Sequence, residues 1–235
     1  MPRVKLVERA DITEDLMVIK LEHQLETFSF RPGQYCTLGL RGVERAYSIV
    51  SAPFEDKLEI FVELVPDGEM TPLMWSMQLG DTLSIRPRAK GLFLLDHSVH
   101  HHFLVATVTG VAPYISMIRQ YIHEGITGHN FYVLLGASYS DELTYDHELL
   151  ALAQQHPESI KFVSTVSRPE ESRNAEWTGT VGRVNNILEA FLENVNPPTD
   201  DSKIYACGHP GMIEDVKDKV KRNGWKFIEE RFWKQ

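Results

Sequence analysis

The sequence predicts two domains of different class, an antiparallel β-barrel over residues 1–97 and an α/β domain with a parallel sheet over residues 98–235. Two observations predict this. Up to about residue 95 the apolar residues fall in short runs, and Gly and Pro punctuate them at barrel-like spacing. From His102 onward, apolar runs alternate with stretches of helical period, the signature of parallel strands joined by helical crossovers.

In the first half, VKLVERADI, LMVIKLE, QYCTLGL, RAYSIVS, LEIFVELV and DTLSIRPR are expected strands. Turn signals RPGQ, PDGE and LGD separate them, and TPLMWSMQL reads as a brief helix. In the second half the strands are HFLVATV, FYVLLGA, IKFVSTV and KIYACG. The helices are APYISMIRQYIHEG, ELTYDHELLALAQQH and GMIEDVKDKVKRNG, and KFIEERFWKQ is a terminal strand.

The chain has 235 residues, 43% of them apolar and 24% charged, a globular composition with room for two cores. No apolar run is long enough to span a bilayer, and the charged start MPRVKLVERADITEDL is unlike a signal peptide, so a cytoplasmic, membrane-free protein is expected. The formal charge of -9 argues against nucleic acid as a partner. Cys36 and Cys207, far apart in sequence, cannot by themselves hold an iron-sulfur cluster or a structural zinc, so any redox cofactor is organic or borrowed. The histidines of HSVHHH, residues 97–102, read as solvated linker residues, and no metal is expected.

In an open parallel sheet, ligands bind beyond the carboxyl ends of the strands. The turns TVTGVAPY, Thr107 to Tyr114, and ACGHPGM, Ala206 to Met212, each follow a strand and enter a helix, and both belong on that edge. In the first half, Arg45 and Tyr47 are two apart on a strand and share a face.

RAYS at 45–48, VPDGEMT at 65–71, TGVAP at 109–113, SR at 167–168, GR at 182–183, CGHPGM at 207–212 and EERFW at 229–233 resemble, in this order, the ferredoxin-NADP reductases. The likeness is to the bacterial type, whose chain ends in an aromatic pair, and it covers essentially the whole chain. It implies an FAD-binding barrel, an NADP-binding α/β domain, and an enzyme that moves electrons between NADPH and ferredoxin or flavodoxin, working as a monomer. Two other readings stay open: the NADH-linked reductase component of an oxygenase, and a flavin-binding electron-transfer subunit without nicotinamide activity of its own.

By the same resemblance, Arg45 pairs with the FAD pyrophosphate, Tyr47 packs on the isoalloxazine, and Ser48 donates towards flavin N5. Ala46, Phe61, Leu64, Glu69, Met70 and Thr71 complete the flavin set, with the phosphates held by backbone amides and the Thr71 hydroxyl. A carboxylate at Glu69 opposes a phosphate; a side chain turned to solvent would resolve this, and the sequence leaves its direction open. Thr109, Ser167, Arg168, Arg183, Gly208 and Met212 are the nucleotide set, and Arg168 and Arg183 are assigned to the 2'-phosphate. Phe232 covers the flavin opposite Tyr47 and Trp233 packs on the adenine. Ser48, Cys207 and Glu230 form the catalytic set.

Two positions depart from the pattern. Val108 stands where many relatives have glycine, and a branched side chain there resists positive φ and crowds a pyrophosphate. Ser138 stands where some bacterial relatives carry an arginine for the 2'-phosphate. For an acidic carrier, Arg86, Arg88 and Lys90 and the group Lys217, Lys219, Lys221 and Arg222 are the candidate docking cations.

Overall fold

The computed structural model describes residues 1–23 and 28–231. The chain divides into two compact units, Met1–Leu95 with Ala112–Gly125, and Asp96–Val111 with Ile126–Gln235.

The first unit holds six strands: β1 (Arg3–Asp11), β2 (Leu16–His23), β3 (Tyr35–Leu40), β4 (Val43–Ser48), β5 (Lys57–Glu63) and β6 (Thr82–Ile85). They form one antiparallel sheet in the order β4-β3-β6-β1-β2-β5. Its two edge strands are joined just past β4 by an antiparallel bridge between Ile49 and Ile60 and a Val50 N–H to Glu59 carbonyl bond of 2.9 Å, so the expected barrel is present. Closure removes the open edges that would otherwise template pairing with another chain. Alternating residues such as Val4 and Leu6, Met17, Ile19 and Leu21, and Cys36 and Leu38 point inwards and make the core.

The helical patch expected at 71–79 is the short α1 (Thr71–Trp75). Helix α2 (Ala112–His123) also belongs to this unit. Ser116 Oγ donates to the Ser51 carbonyl at 2.8 Å, and Arg119 meets Glu55 at 3.3 Å and the buried Glu59 at 3.5 Å. A buried carboxylate is tolerable only when paired, and Arg119 supplies that pairing.

The second unit is a parallel sheet of β7 (His101–Thr107), β8 (Asn130–Ala137), β9 (Ile160–Val166), β10 (Thr180–Val181), β11 (Ser202–Cys207) and β12 (Lys226–Glu230). Their order is β10-β9-β8-β7-β11-β12, every pair parallel. β8 is buried from Phe131 to Ala137, as expected of a strand covered on both faces. Helices α4 (Val184–Val195) and α5 (Pro210–Arg222) close one face through Val184, Leu188 and Leu192, and through Met212, Ile213, Val216 and Val220. α3 (Asp146–Gln155) precedes β9. β10 and α4 are absent from the sequence reading, although Val184, Leu188 and Leu192 do follow a helical period.

Within the histidine run, His97 and His100 are exposed as expected, but His102 departs from the role of solvated linker. His102 lies on β7, fully buried, and His129, just before β8, is nearly so. The Tyr205 hydroxyl accepts the Asp96 N–H at 3.0 Å, which leaves its own proton for His102 Nδ1 at 3.3 Å. His102 Nε2 then donates to His129 Nδ1 at 2.9 Å. This arrangement needs neutral imidazoles. Burial, with His129 and His97 adding repulsion, lowers the His102 pKa to about 3. Among the described residues no His, Cys, Asp and Glu group is arranged to hold a metal ion.

Candidate functional site

In the first unit, β4 pairs with β3 so that Arg45 lies opposite Leu38 and Tyr47 opposite Cys36. Residues directly opposite on antiparallel strands share a face, so the arginine and the ring project on the side of two buried core residues. Tyr47 packs against the barrel core, and burial raises its phenol pKa, which keeps it a neutral aromatic surface. Ser48 is buried at the strand end and Ala46 is exposed on the other face. Phe61 is buried on β5, Met70 is buried beside α1, and Leu64 is half-buried, its N–H held by the Asp15 carbonyl at 2.7 Å.

The segment Val65–Thr71 is a closed loop. Val65 N–H donates to Thr71 Oγ1 at 2.9 Å, the Thr71 hydroxyl donates back to the Val65 carbonyl at 3.2 Å, and Gly68 N–H reaches the same carbonyl at 2.9 Å. Thr71 Oγ1 is thus engaged with both backbone groups of Val65. Glu69 is exposed, and its carboxylate is ion-paired with the Arg45 guanidinium. That contact brings an anionic oxygen of the loop onto the guanidinium of β4. The chemistry of the donor set thus fits a pyrophosphate at Arg45 and a flat aromatic group at Tyr47.

In the second unit, the two turns expected at the carboxyl edge are pressed together. A Cβ on Gly110 would lie 2.2 Å from the Cys207 carbonyl oxygen and 2.8 Å from Gly208 Cα. Gly208, at φ +123°, leaves room for Thr107, whose Oγ1 accepts the His209 N–H at 2.7 Å. Only residues without a side chain permit such backbone contact. Val108, in the first of these turns, is at φ +44°, the left-handed region its branched Cβ disfavours. Thr109 is buried in the 3-10 turn that follows β7, and Met212 is buried in the first turn of α5.

Cys207 lies in register with Ala106 on β7 and Glu230 on β12. Its thiol is fully buried, and burial first, then the Glu230 charge, pushes its pKa well up, so it is a neutral thiol and not a thiolate. Lys217 and Lys219 of α5, offered as docking cations, are engaged by Glu229 at 3.2 Å and by Asp215 at 2.8 Å, and Arg86 is held by Glu44 at 2.6 Å. Phe232 and Trp233 lie outside the described residues.

β9 and β10 pair Thr165 with Thr180 and Val166 with Val181, and the Gly182 N–H continues the ladder to the Val166 carbonyl at 2.8 Å. Arg168 and Arg183 each stand two residues beyond the last paired position of adjacent strands, on one rim, with Ser167 and Gly182 before them. Both are exposed. Arg168 Nη1 donates to the Tyr139 hydroxyl at 2.9 Å and pairs with Glu171 at 3.5 Å. The sequence reading passed over Tyr139 and Arg173, whose guanidinium lies 4.2 Å from the Tyr139 ring centroid.

A barrel with a guanidinium and a ring on one strand, followed by a parallel sheet with a glycine-built edge, defines a two-domain flavin and nicotinamide oxidoreductase. The comparisons agree: residues 3–91 match the model of the oxidoreductase FAD-binding domain and residues 104–218 that of the oxidoreductase NAD-binding domain. The chain belongs to the ferredoxin-NADP reductase family. It is 30% identical to a ferredoxin–NADP reductase of Pseudomonas aeruginosa over 84% of this chain and 80% of that one. It is 29% identical to a flavodoxin/ferredoxin–NADP reductase of Buchnera aphidicola over 81% of this chain and 79% of that one. In fold it is similar to a ferredoxin NADP+ reductase from Neisseria gonorrhoeae solved with FAD and NADP bound, at a TM-score of 0.86 and 24% identity, with 98% of each chain covered.

Proposed function

We propose that this chain is an FAD-dependent reductase that carries electrons between NADPH and a small one-electron carrier, a ferredoxin or a flavodoxin. The observation that carries the reading is the Arg45 and Tyr47 face of β4, in a chain whose second unit has the Gly110 and Gly208 edge. Bound flavin supplies the redox chemistry, accepting electrons as a pair and releasing them singly.

The protein's own residues bind and orient. Arg45, once released from Glu69, holds pyrophosphate oxygens, with backbone N–H groups of the Val65–Thr71 loop beside it. Tyr47 offers its ring, with Ala46, Phe61, Leu64 and Met70 around the flavin, and Ser48 offers a hydroxyl at the strand end. In the second unit, Thr109, Gly208 and Met212 line the turns that the nucleotide approaches, and Ser167, Arg168 and Arg183 receive the adenosine end. Cys207 and Glu230, in register at the ends of adjacent strands, belong to the catalytic set, Cys207 as a neutral packing group. Phe232 and Trp233 lie outside the described residues, and their roles over the flavin and the adenine rest on the resemblance alone. The first ninety-seven residues, with α2 packed into their unit, serve the flavin and the remainder serves the nucleotide. A cytoplasmic monomer belongs to the same proposal; no helix among the described residues is long and apolar enough to cross a membrane.

A second reading, an NADH-linked reductase, is favoured by one observation: Glu171 and Asp141 already pair with Arg168 and Arg173 on the rim. One experiment tests both. Purified protein is heated, the released chromophore is identified by chromatography, and kcat/KM is measured for NADPH and NADH with ferricyanide and then with ferredoxin and flavodoxin. FAD release with NADPH preference is expected. FMN, or no flavin after reconstitution, would overturn the flavin assignment, and an NADH preference would favour the second reading.

A further inference from the structure

We propose that Arg173 is a specificity residue for the 2'-phosphate of the nucleotide, acting beside Arg168 across the ring of Tyr139. The proposal rests on the NADPH reading above. Position 138, where the resemblance looked for a third cation, holds a serine, but the fold brings one to this rim from the segment between β9 and β10. The Arg173 guanidinium lies 4.2 Å from the Tyr139 ring centroid and that of Arg168 lies 5.5 Å from it. Two guanidinium groups thus lie against one phenol, which holds them by ring contact and by the 2.9 Å hydrogen bond from Arg168.

The segment that carries Arg173 is fixed by its neighbour. Asn174 is 3% exposed, and its side-chain amide donates to the Ser138 carbonyl at 3.0 Å and the Arg168 carbonyl at 2.9 Å, while its Oδ1 accepts the Ser140 N–H at 2.9 Å. One buried side chain therefore ties the turn after β8 to the turn after β9. Arg173, next in sequence, is positioned by that tie. Such pre-organisation lowers the ordering cost of ligand binding.

The carboxylates on this rim differ in what they can yield. Glu142 is committed: its Oε2 accepts the Ser138 and Tyr139 N–H groups at 2.9 and 3.1 Å, and its Oε1 lies 3.7 Å from Arg173 Nη1. Asp141, at 2.8 Å from Arg173 Nε, and Glu171, on Arg168, are about half exposed, at 48% and 51%. Exposed pairs of this kind contribute little and are readily exchanged. A phosphate dianion brings more charge and a bidentate match to a guanidinium, so it displaces them. A ribose 2'-hydroxyl brings neither.

Titration calorimetry of the full chain with 2'-phospho-AMP and with AMP tests this. Arg173→Ala is expected to weaken 2'-phospho-AMP about tenfold, the size of one lost charge-assisted bond, and to leave AMP within about twofold. Arg173→Lys should fall between, keeping the charge and losing the fork. Asp141→Asn should tighten 2'-phospho-AMP, because it removes the charge of the nearer of the two carboxylates paired with the guanidinium. If Arg173→Ala and Asp141→Asn weaken 2'-phospho-AMP alike, the pair only holds the loop and the proposal fails. If the wild type discriminates the two ligands and Arg173→Ala discriminates equally well, Arg173 alone is excluded and the NADPH reading stands. If the wild type does not prefer 2'-phospho-AMP to AMP, both fall.

Discussion

His102 Nε2 donates to His129 Nδ1 across 2.9 Å in a fully buried setting, so the start of β7 is stable only while its imidazoles are neutral. The His102 pKa falls to about 3, chiefly through burial, while an unfolded histidine titrates near 6.5. Between these values the unfolded chain binds the additional proton, so this contribution is complete above about pH 6.5 and is lost as pH falls. At pH 5 the loss from His102 is about 2 kcal/mol, at about 1.4 kcal/mol per pH unit. Urea midpoints at pH 7 and pH 5 should differ accordingly in the wild type. They should converge in the double variant His102→Leu, His129→Leu; equal slopes in both proteins would show that the pair is not the acid-sensitive element.

Val108 gives the second prediction. A branched residue at φ +44° carries strain of about 1–3 kcal/mol, and glycine there relieves it while adding about 0.4–1 kcal/mol of unfolded-state entropy. Val108→Gly should therefore stabilise the protein by about 1 kcal/mol. A rise of a few degrees in the melting temperature is the expected reading. A fall would mean that the half-buried valine side chain contributes more packing than its backbone costs.

Gly110 answers in the opposite sense. A methyl group there would lie 2.2 Å from the Cys207 carbonyl oxygen, a backbone atom that no rotamer change can move. Gly110→Ala should cost about 1–3 kcal/mol, as overpacking does, and raise KM for NADPH by separating the two turns. Thermal unfolding and steady-state kinetics read the two effects. A variant with wild-type values of both would exclude the close packing.

Arg168 and Arg183 stand on one rim at the ends of adjacent strands. Each charge-assisted bond to phosphate is worth about 1.5–3 kcal/mol, so Arg168→Ala or Arg183→Ala should lower kcat/KM for NADPH by about one to two decades. NADH should be nearly unaffected, having no phosphate at that position. Equal losses with both nucleotides would make these arginines structural.

Most of the architecture can be read from the chain because its causes are local. Alternation in β1 to β3 and the continuous apolar run of β8 follow directly from whether one or both faces are covered. Helix α4 was overlooked because Asn185 and Asn186 follow its first residue and favour turns, so its apolar stripe begins weakly. His102 was misplaced for a different reason: its environment is assembled from Tyr205 and His129, distant in sequence. Arg173 has the same character, since only the fold sets it against Tyr139. Motif residues such as Arg45 and Gly208 were legible because their demands, a shared strand face and a positive φ, are properties of a few consecutive residues.

The chain order of α2 has a consequence for modularity. The polypeptide leaves the first unit at Leu95, lays down β7, supplies α2 to the first unit, and departs again after Gly125. The buried Glu59 on β5 and the Ser51 carbonyl find their partners on that returning helix, in Arg119 and Ser116. A fragment ending near residue 97 would lack the Arg119 guanidinium that pairs with the buried Glu59. The flavin half is thus not a cassette that can be excised, swapped or expressed by a single cut. Exchange of this half between relatives would require two grafts, one on each side of β7.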